Sequence, residues 1–316
     1  MQLSREEEYT LKKQAEAVGA ASSGTQISKG TNILLNILFV IIAIICIYPL
    51  ILVLMVSFTD EMTIIEKGYS IFPAKFSLTA YTYIFENIMT VVKAYGVSIF
   101  TTLVGGLVGL IIMALYAYPL SRDDFKYRSA FNVICVITML FSGGLVPTYM
   151  VFVKVLGLKD RILALILAQL FSAFYVMIIR TFFKTNVPKS LIEAAQIDGA
   201  GEYYTFFRIV MPLAKPALAT VLMFSMLLYW NDWYFPLLYI TSPDKYNLQY
   251  LMYQMQTKIA SLITASSAGA TIDISNIPSE TARMAMAIVA IGPIVLAYPF
   301  FQKYFEKGIT LGATKE

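Results

Sequence analysis

From Asn32 to Phe58 the chain carries no charged residue, and so long an apolar run has few fates in water. About 20 apolar residues cross the hydrocarbon core of a bilayer as a helix, because only intrahelical hydrogen bonds satisfy the backbone there. Five more runs follow, Tyr95–Leu120, Ser129–Val153, Ile162–Phe183, Ala214–Ile240 and Met284–Phe305. The sequence thus predicts an all-α integral membrane protein with six transmembrane helices over residues 32–58, 95–120, 129–153, 162–183, 214–240 and 284–305. Residues 1–31 form a polar tail with Glu6, Glu7, Glu8, Lys12 and Lys13, then a Ser/Gly-rich stretch from Ala20. That tail lacks the short basic start of a signal peptide, so the first span is expected to stay in the membrane. Of 316 residues, 58% are hydrophobic and 14% charged, which leaves no separate soluble nucleotide-binding or catalytic domain.

The chain contains no His, which excludes imidazole metal sites, Ser-His-Asp triads and His general bases. Cys46 and Cys135 both fall inside apolar runs, so neither a disulfide framework nor a four-ligand zinc site is available. The net charge of +4 suits the cytoplasmic loops of a membrane protein and gives no nucleic-acid signal. Lys and Arg are in excess on the side of the N-terminus, at Arg122, Lys126, Arg128, Lys184, Lys189, Arg208 and Lys215 among others. The positive-inside rule then places both termini in the cytoplasm.

The cytoplasmic loop 184–213 is not simply polar. Ser190 followed by Glu193 matches a capping box, which predicts a short helix starting near Leu191. Ala194 and Ala195 favour that helix, and Asp198-Gly199 with Gly201 ends it. A second helical stretch, Tyr203 to Val210, is expected to stop at Pro212. Ala194, Ala195, Ala200 and the two glycines offer almost no side-chain bulk, so another protein can approach closely. Alternatively, Leu191, Ile192 and Ile197 rest on lipid headgroups.

The run Glu193-Ala194-Ala195-Gln196-Ile197-Asp198-Gly199-Ala200, followed by Ile209-Val210-Met211-Pro212, resembles the EAA loop of permease subunits in binding-protein-dependent ABC importers. Met211 stands where that pattern usually has Leu. The segments Phe141–Tyr149, Trp230–Trp233 and Lys303–Gly312 are similar to the carbohydrate-uptake branch, especially the smaller permease of maltose-type importers and the permeases for complex oligosaccharides. The resemblance implies a type I importer permease fold with a cytoplasmic coupling helix. It also implies a bacterial cytoplasmic membrane location and four classes of partner: a second permease, a cytoplasmic ATPase dimer, an extracytoplasmic solute-binding protein and a sugar. ATP and Mg would be bound by the ATPase subunits, so this chain holds no cofactor and catalyses no reaction.

Residues expected to couple to the ATPase are Glu193, Ala194, Ala195, Asp198, Gly199, Ala200 and Gly201. Glu193 either completes the capping box or makes a charge-assisted contact with the partner. Tyr229, Trp230, Asn231, Asp232 and Trp233 place an amide and a carboxylate among aromatics inside span five. Such groups suit a sugar path, or else the tryptophans form an interfacial belt while Asn231 and Asp232 tie the span to its partner. Ser142, Gly143, Gly144 and Pro147 unwind or bend span three as a gate, or serve close packing. Gly105 and Gly109 present a small-residue packing face in span two. The outer stretch 242–281 reads as a scoop or a docking surface, and the tail 306–316 as a second ATPase contact or a disordered end. An ion-coupled secondary carrier is the competing class. It calls for intramembrane carboxylates and repeated halves, and only Asp232 fits the first requirement.

Overall fold

A computed structural model of the chain describes residues 28–86, 88–267 and 278–313. Residues 1–27 of the expected N-terminal tail lie outside them, as do residues 268–277 of the stretch 242–281 and the last three residues of the expected C-terminal tail. Within them the fold is helical, and the only β feature is an isolated bridge between Thr59 and Phe76.

Helix α1 (Lys29–Ser57) begins at Ser28, whose hydroxyl accepts the Thr31 N–H, and carries Pro49 inside it. Two short helices, α2 (Glu61–Lys67) and α3 (Thr79–Phe85), then lead into α4 (Ile88–Ser121). Spans one and two are thus single helices, both long and apolar enough to cross a membrane. The remaining expected spans are not simple rods. Span three is α5 (Arg128–Leu140) followed by α6 (Leu145–Met150) and a π turn, Val151–Val155, with a bend of 109° between the arms. Span four is α7 (Ile162–Ala168) and α8 (Ala173–Asn186), bent by 52°. The loop 184–213 forms α9 (Lys189–Ile197), α10 (Glu202–Thr205), a π turn, Phe206–Val210, and α11 (Met211–Leu213). It turns by 84° into α12 (Lys215–Trp230), which breaks before α13 (Tyr234–Tyr239). The amphipathic outer helix α14 (Leu248–Ser267) and the last helix, α15 (Ser279–Ala313), complete the order. By length and apolarity up to five spans are found among the described residues if each bent pair counts as one.

Helix α4 lies at the centre. Its glycine face admits α12 and the break between α7 and α8 so closely that a methyl on Gly106 would lie 2.8 Å from Met226 Cγ, and one on Gly109 2.8 Å from the Leu170 carbonyl oxygen. The packing role expected for Gly105 and Gly109 is therefore observed. The larger core cluster sits beside the loop 184–213, where Ala114, Ala117 and Tyr118 of α4 meet Val176, Ile179 and Phe183 of α8 and Val210, Leu218 and Val221 of the later segments. A second cluster joins α3, α4, α14 and α15 around Trp230.

At the end of the bundle away from the loop 184–213, two carboxylates fasten distant segments together. Glu61 accepts the N–H groups of Glu280 and Thr281 and the hydroxyls of Ser279 and Thr281, all at 2.7 to 2.9 Å. A residue near the start of the chain thereby caps the N-terminus of α15, where the first backbone donors have no helical partner. Asp160, held at φ +57°, accepts the N–H groups of Thr241 and Ser242 and the Ser242 hydroxyl, and pairs with Lys245 at 2.6 Å. The Lys245 ammonium and these donors hold its carboxyl far below the usual range.

Candidate functional site

Three regions hold the residues singled out from the sequence: the loop 184–213, the break after α12 and the corner of span three. In the loop the helix starts earlier than expected. Pro188 takes the N-cap position of α9 with no side-chain cap bond, so the Ser190–Glu193 capping box does not form. Pro188 is suited to this place because it has no N–H to leave orphaned and its fixed φ precedes a helix well. The end of α9 is as expected. Gly199 adopts φ +77°, its N–H bonds to the Gln196 carbonyl at 3.0 Å, and the Ala200 N–H reaches back to the Ala195 carbonyl at 2.9 Å. This pair of bonds is the Schellman closure, which requires a left-handed residue. The second stretch runs from Glu202 to Leu213 through the π turn. Pro212 does not stop it; it occupies an opening position of α11, where a missing N–H costs nothing.

The arrangement gathers six of the seven predicted coupling residues around one open hollow of about 780 Å³, lined by Ala194, Ala195, Asp198, Gly199, Ala200 and Gly201 together with Leu191, Tyr204 and Arg208. Alanine and glycine make up half of its lining, and it carries one anion, Asp198, and one cation, Arg208. Nothing within 4 Å would meet a side chain added at Gly199 or Gly201, so their smallness serves no internal packing. Glu193 is the exception. It is exposed and belongs to a different cavity, on the inner side of α9, with Arg122, Lys189 and Gln196.

Behind the hollow, α9 and α10 are fastened to the bundle. Ile192 packs on the cytoplasmic core cluster, in which Phe206 and Val210 are themselves buried, and Phe206 lies 5.2 Å from the Tyr118 ring at the end of α4. Asp123 pairs with Lys189 and with Arg128; the Lys189 ammonium and the Arg128 guanidinium bring its carboxyl down to about 2. Contact with Asp123 in turn raises the Lys189 pKa. Sequence reasoning did not find Arg122, Asp123 and Glu202. The only signal was the run Arg122-Asp123-Asp124 directly after a span that ends in Pro119-Leu120-Ser121.

At the break after α12 the five predicted path residues separate into two groups. Tyr229 and Trp230 are 2% and 6% exposed. The Tyr229 hydroxyl donates to the Ile166 carbonyl at 2.6 Å, and the Trp230 indole N–H donates to the Ala290 carbonyl at 3.0 Å. Both side chains tie α12 to neighbouring helices, and Trp230 is not a belt residue. Asn231 and Trp233 remain exposed, Trp233 stacking on Tyr253 of α14 at 4.7 Å. Asp232 lies between the groups. Its carboxylate accepts the N–H groups of Tyr234 and Phe235 at 3.0 Å each, capping α13, while its carbonyl accepts from Asn247. Ser142 and Gly143 fall in the unwound corner of span three, exposed, with the Ser142 hydroxyl accepting the Gly144 N–H at 3.2 Å. The structure does not bring this corner together with the Asp232 break. No group of metal-ligating side chains occurs among the described residues.

Residues 111–311 match the family of binding-protein-dependent transport system inner membrane components. The polygalacturonan/rhamnogalacturonan transport system permease YtcP of Bacillus subtilis is 40% identical over 279 residues, covering 86% of this chain and 94% of that protein. The arabinooligosaccharide transport system permease AraQ of Halalkalibacterium halodurans is 30% identical over 286 residues, 89% of this chain and 96% of its own length. A chain from the crystal structure of a bacterial ABC transporter that imports the acidic polysaccharide alginate superposes with a TM-score of 0.73 at 25% identity, over 89% of this chain and 99% of that one. These matches favour an ABC importer over the ion-coupled carrier. With the match spanning most of its helices, this chain belongs to the family of binding-protein-dependent transport system inner membrane components and is a transport permease, not an enzyme.

Proposed function

We propose that this chain forms, with a second permease, the transmembrane path of an ATP-driven oligosaccharide importer, and that α9 is the helix that seats in a cytoplasmic ATPase subunit. The observation that carries the reading is the hollow around Gly199. It is a surface without bulk at the end of a helix whose other face is fixed to the bundle core. A convex partner can enter it with little side-chain entropy lost on this side, and Arg208 at its rim offers a charge to an acidic partner group. ATP and Mg are held by the ATPase, and an extracytoplasmic binding protein delivers the solute. Carbohydrate cargo is supported by the sugars and polysaccharides named for the relatives.

The mechanism follows from stiffness. Closure of the ATPase dimer displaces α9, which joins α8 directly and α12 through α10 and α11. Because Ile192, Phe206 and Val210 are packed into the cytoplasmic core, displacement of the knob is transmitted as rigid-body motion of those spans rather than absorbed by bending. The path then alternates between inward-facing and outward-facing. Both termini are cytoplasmic in this reading, and Asn231, Asp232 and Trp233, at the break after α12, are the side chains offered to the solute.

Gly199→Asp tests the assignment. The substitution places a side chain in the left-handed region and a carboxylate in the hollow, so uptake should be lost while membrane insertion and pairing with the second permease persist. Normal uptake, or failure of the wild-type chain to co-purify with any ATPase subunit, would remove the coupling role.

A further inference from the structure

Arg122 closes a ring of contacts that docking alone does not use. Its side chain is only 10% exposed, although it follows the last residue of α4 on the cytoplasmic side. One guanidinium nitrogen donates to the Tyr118 hydroxyl at 2.9 Å and to Glu202 Oε2 at 3.2 Å, and the Tyr118 hydroxyl donates to the same Glu202 oxygen at 2.9 Å. The guanidinium also lies 5.7 Å from the centre of the Tyr118 ring and pairs with Asp124. Glu202 opens α10, just beyond α9, and receives Gln196 Nε2 from α9 at 3.4 Å. One residue further on, Asp123 holds Lys189, the first residue of α9, and Arg128, the first residue of α5. The turn between spans two and three therefore grips α9 at both ends. Between the two grips lies a cavity of about 270 Å³ lined by Arg122, Glu193 and Gln196, among others, so the middle of α9 stands off from this turn.

Resting on the coupling role proposed for α9, we infer that Arg122 and Asp123 are positioning residues, forming a two-ended ionic brace that carries the motion of α9 into spans two and three. Chain connectivity links α9 only to α8 and α12. The brace ties α9 to α5 and adds an ionic tie to the end of α4, which already packs on α8 through the core cluster, so the cytoplasmic ends of four helices move with one knob. A single exposed ion pair would be too weak for this, but in the Arg122 arm Tyr118 and Glu202 each bond both other members, and although Glu202 is 58% exposed, the Arg122 side chain at the centre is only 10% exposed. Across the cavity, these end contacts are the rigid link from the turn to α9.

The test uses the complete importer in proteoliposomes, with its second permease, ATPase subunits and binding protein, and oligogalacturonides as the probe solute. Arg122→Glu and Glu202→Arg should each lower solute moved per ATP hydrolysed by about five-fold or more, the scale of a coupling free energy between sites. The charge-swapped double variant should recover most of that ratio. A merely structural role would lower uptake and ATP hydrolysis together, in proportion to assembled complex, leaving the ratio unchanged; that result, or no recovery in the swap, overturns the brace. A second arm needs no solute and does not depend on the cargo. In a Cys46→Ser background, Asp123→Cys with Lys189→Cys is bridged by a short bis-methanethiosulfonate spacer. If turn and helix move as one body, permease-dependent ATP turnover stays within about two-fold after bridging. Turnover that stops on bridging and returns with reductant shows that they must part, and the inference fails. A wild-type importer that ignores oligogalacturonides refutes the probe as cargo, and the bridging arm then decides the brace.

Discussion

Gly105→Ala is the substitution whose cost can be worked most directly from the packing. A methyl at Gly105 would lie 2.4 Å from Tyr229 Cζ and 2.7 Å from both Cε atoms, whereas carbon atoms rest at about 3.5 to 4.0 Å. The ring must retreat by about 1 Å. It cannot swing freely, because its hydroxyl is held by the Ile166 carbonyl at 2.6 Å and the residue is 2% exposed. Retreat that breaks this bond leaves buried polar groups unpaired, at about 1–3 kcal/mol. Retreat that keeps it pushes α12 away from α4, at about 1–3 kcal/mol for overpacking. The expected loss is about 1–3 kcal/mol by either route, with some of each bringing it toward the upper end. Thermal unfolding in detergent, followed by labelling of the buried Cys135 thiol in a Cys46→Ser background, measures it. Tyr229→Leu in the same chain empties the space the methyl needs, so the two substitutions should compensate, with a coupling of at least about 1 kcal/mol in a double-mutant cycle. Simple addition of the two single effects would refute the idea that this contact sets the α4–α12 spacing.

Glu61→Gln should destabilise the outer side by about 1–2 kcal/mol at neutral pH, through weakened charge-assisted bonds to the start of α15. Burial pushes the Glu61 carboxyl up, but the backbone N–H of Glu280 and the donors of Thr281 and Ser279 outweigh it, so the pKa is lowered on folding. The stabilisation is therefore present above the ordinary carboxylate range and lost as pH falls through the folded value, so the gap between wild type and variant should close between about pH 5 and pH 3. Unfolding curves across that range that keep a constant gap would show that the charge is irrelevant. At the other break, Asp232→Asn keeps an acceptor for the Tyr234 and Phe235 N–H groups, whereas Asp232→Ala loses the α13 cap at about 1 kcal/mol. If Asp232 also meets solute, both variants lower uptake although only Ala lowers stability; normal uptake by the Asn variant would leave capping as its role.

What the sequence disclosed, and what it did not, follows from how local each signal was. The glycine face of span two and the Schellman end at Gly199 were legible because each depends on a few neighbouring residues. The broken spans were less so. Hydropathy counts apolar residues without regard to direction, so the fourth span read as continuous although it bends by 52° near Gln169. The Ser190–Glu193 box had the right letters, but Pro188 moved the helix start ahead of it. Helix α14 was missed in the stretch read as a scoop or docking surface, and α15 continues as helix to Ala313, beyond the boundary placed after Phe305. At the site, the side chains of Tyr229 and Trp230 pointed toward a sugar by composition alone, whereas carbonyl partners more than fifty residues away turn them inward. The Arg122 ring was invisible for the same reason. Its members lie 80 residues apart in sequence, and no local pattern announces such a meeting.

Helix α1 rests chiefly against α15, and α15 in turn takes its cap from Glu61, just beyond α1. Synthesis proceeds in the opposite sense to this dependence, since the first segment released into the bilayer must wait for the final one before it finds its neighbour within the chain. Until then its flanks face lipid alone and the waiting carboxylate has no helix to receive. Biogenesis therefore includes a closing step in which α1 and α15 meet, and truncations that remove α15 should be felt first by α1.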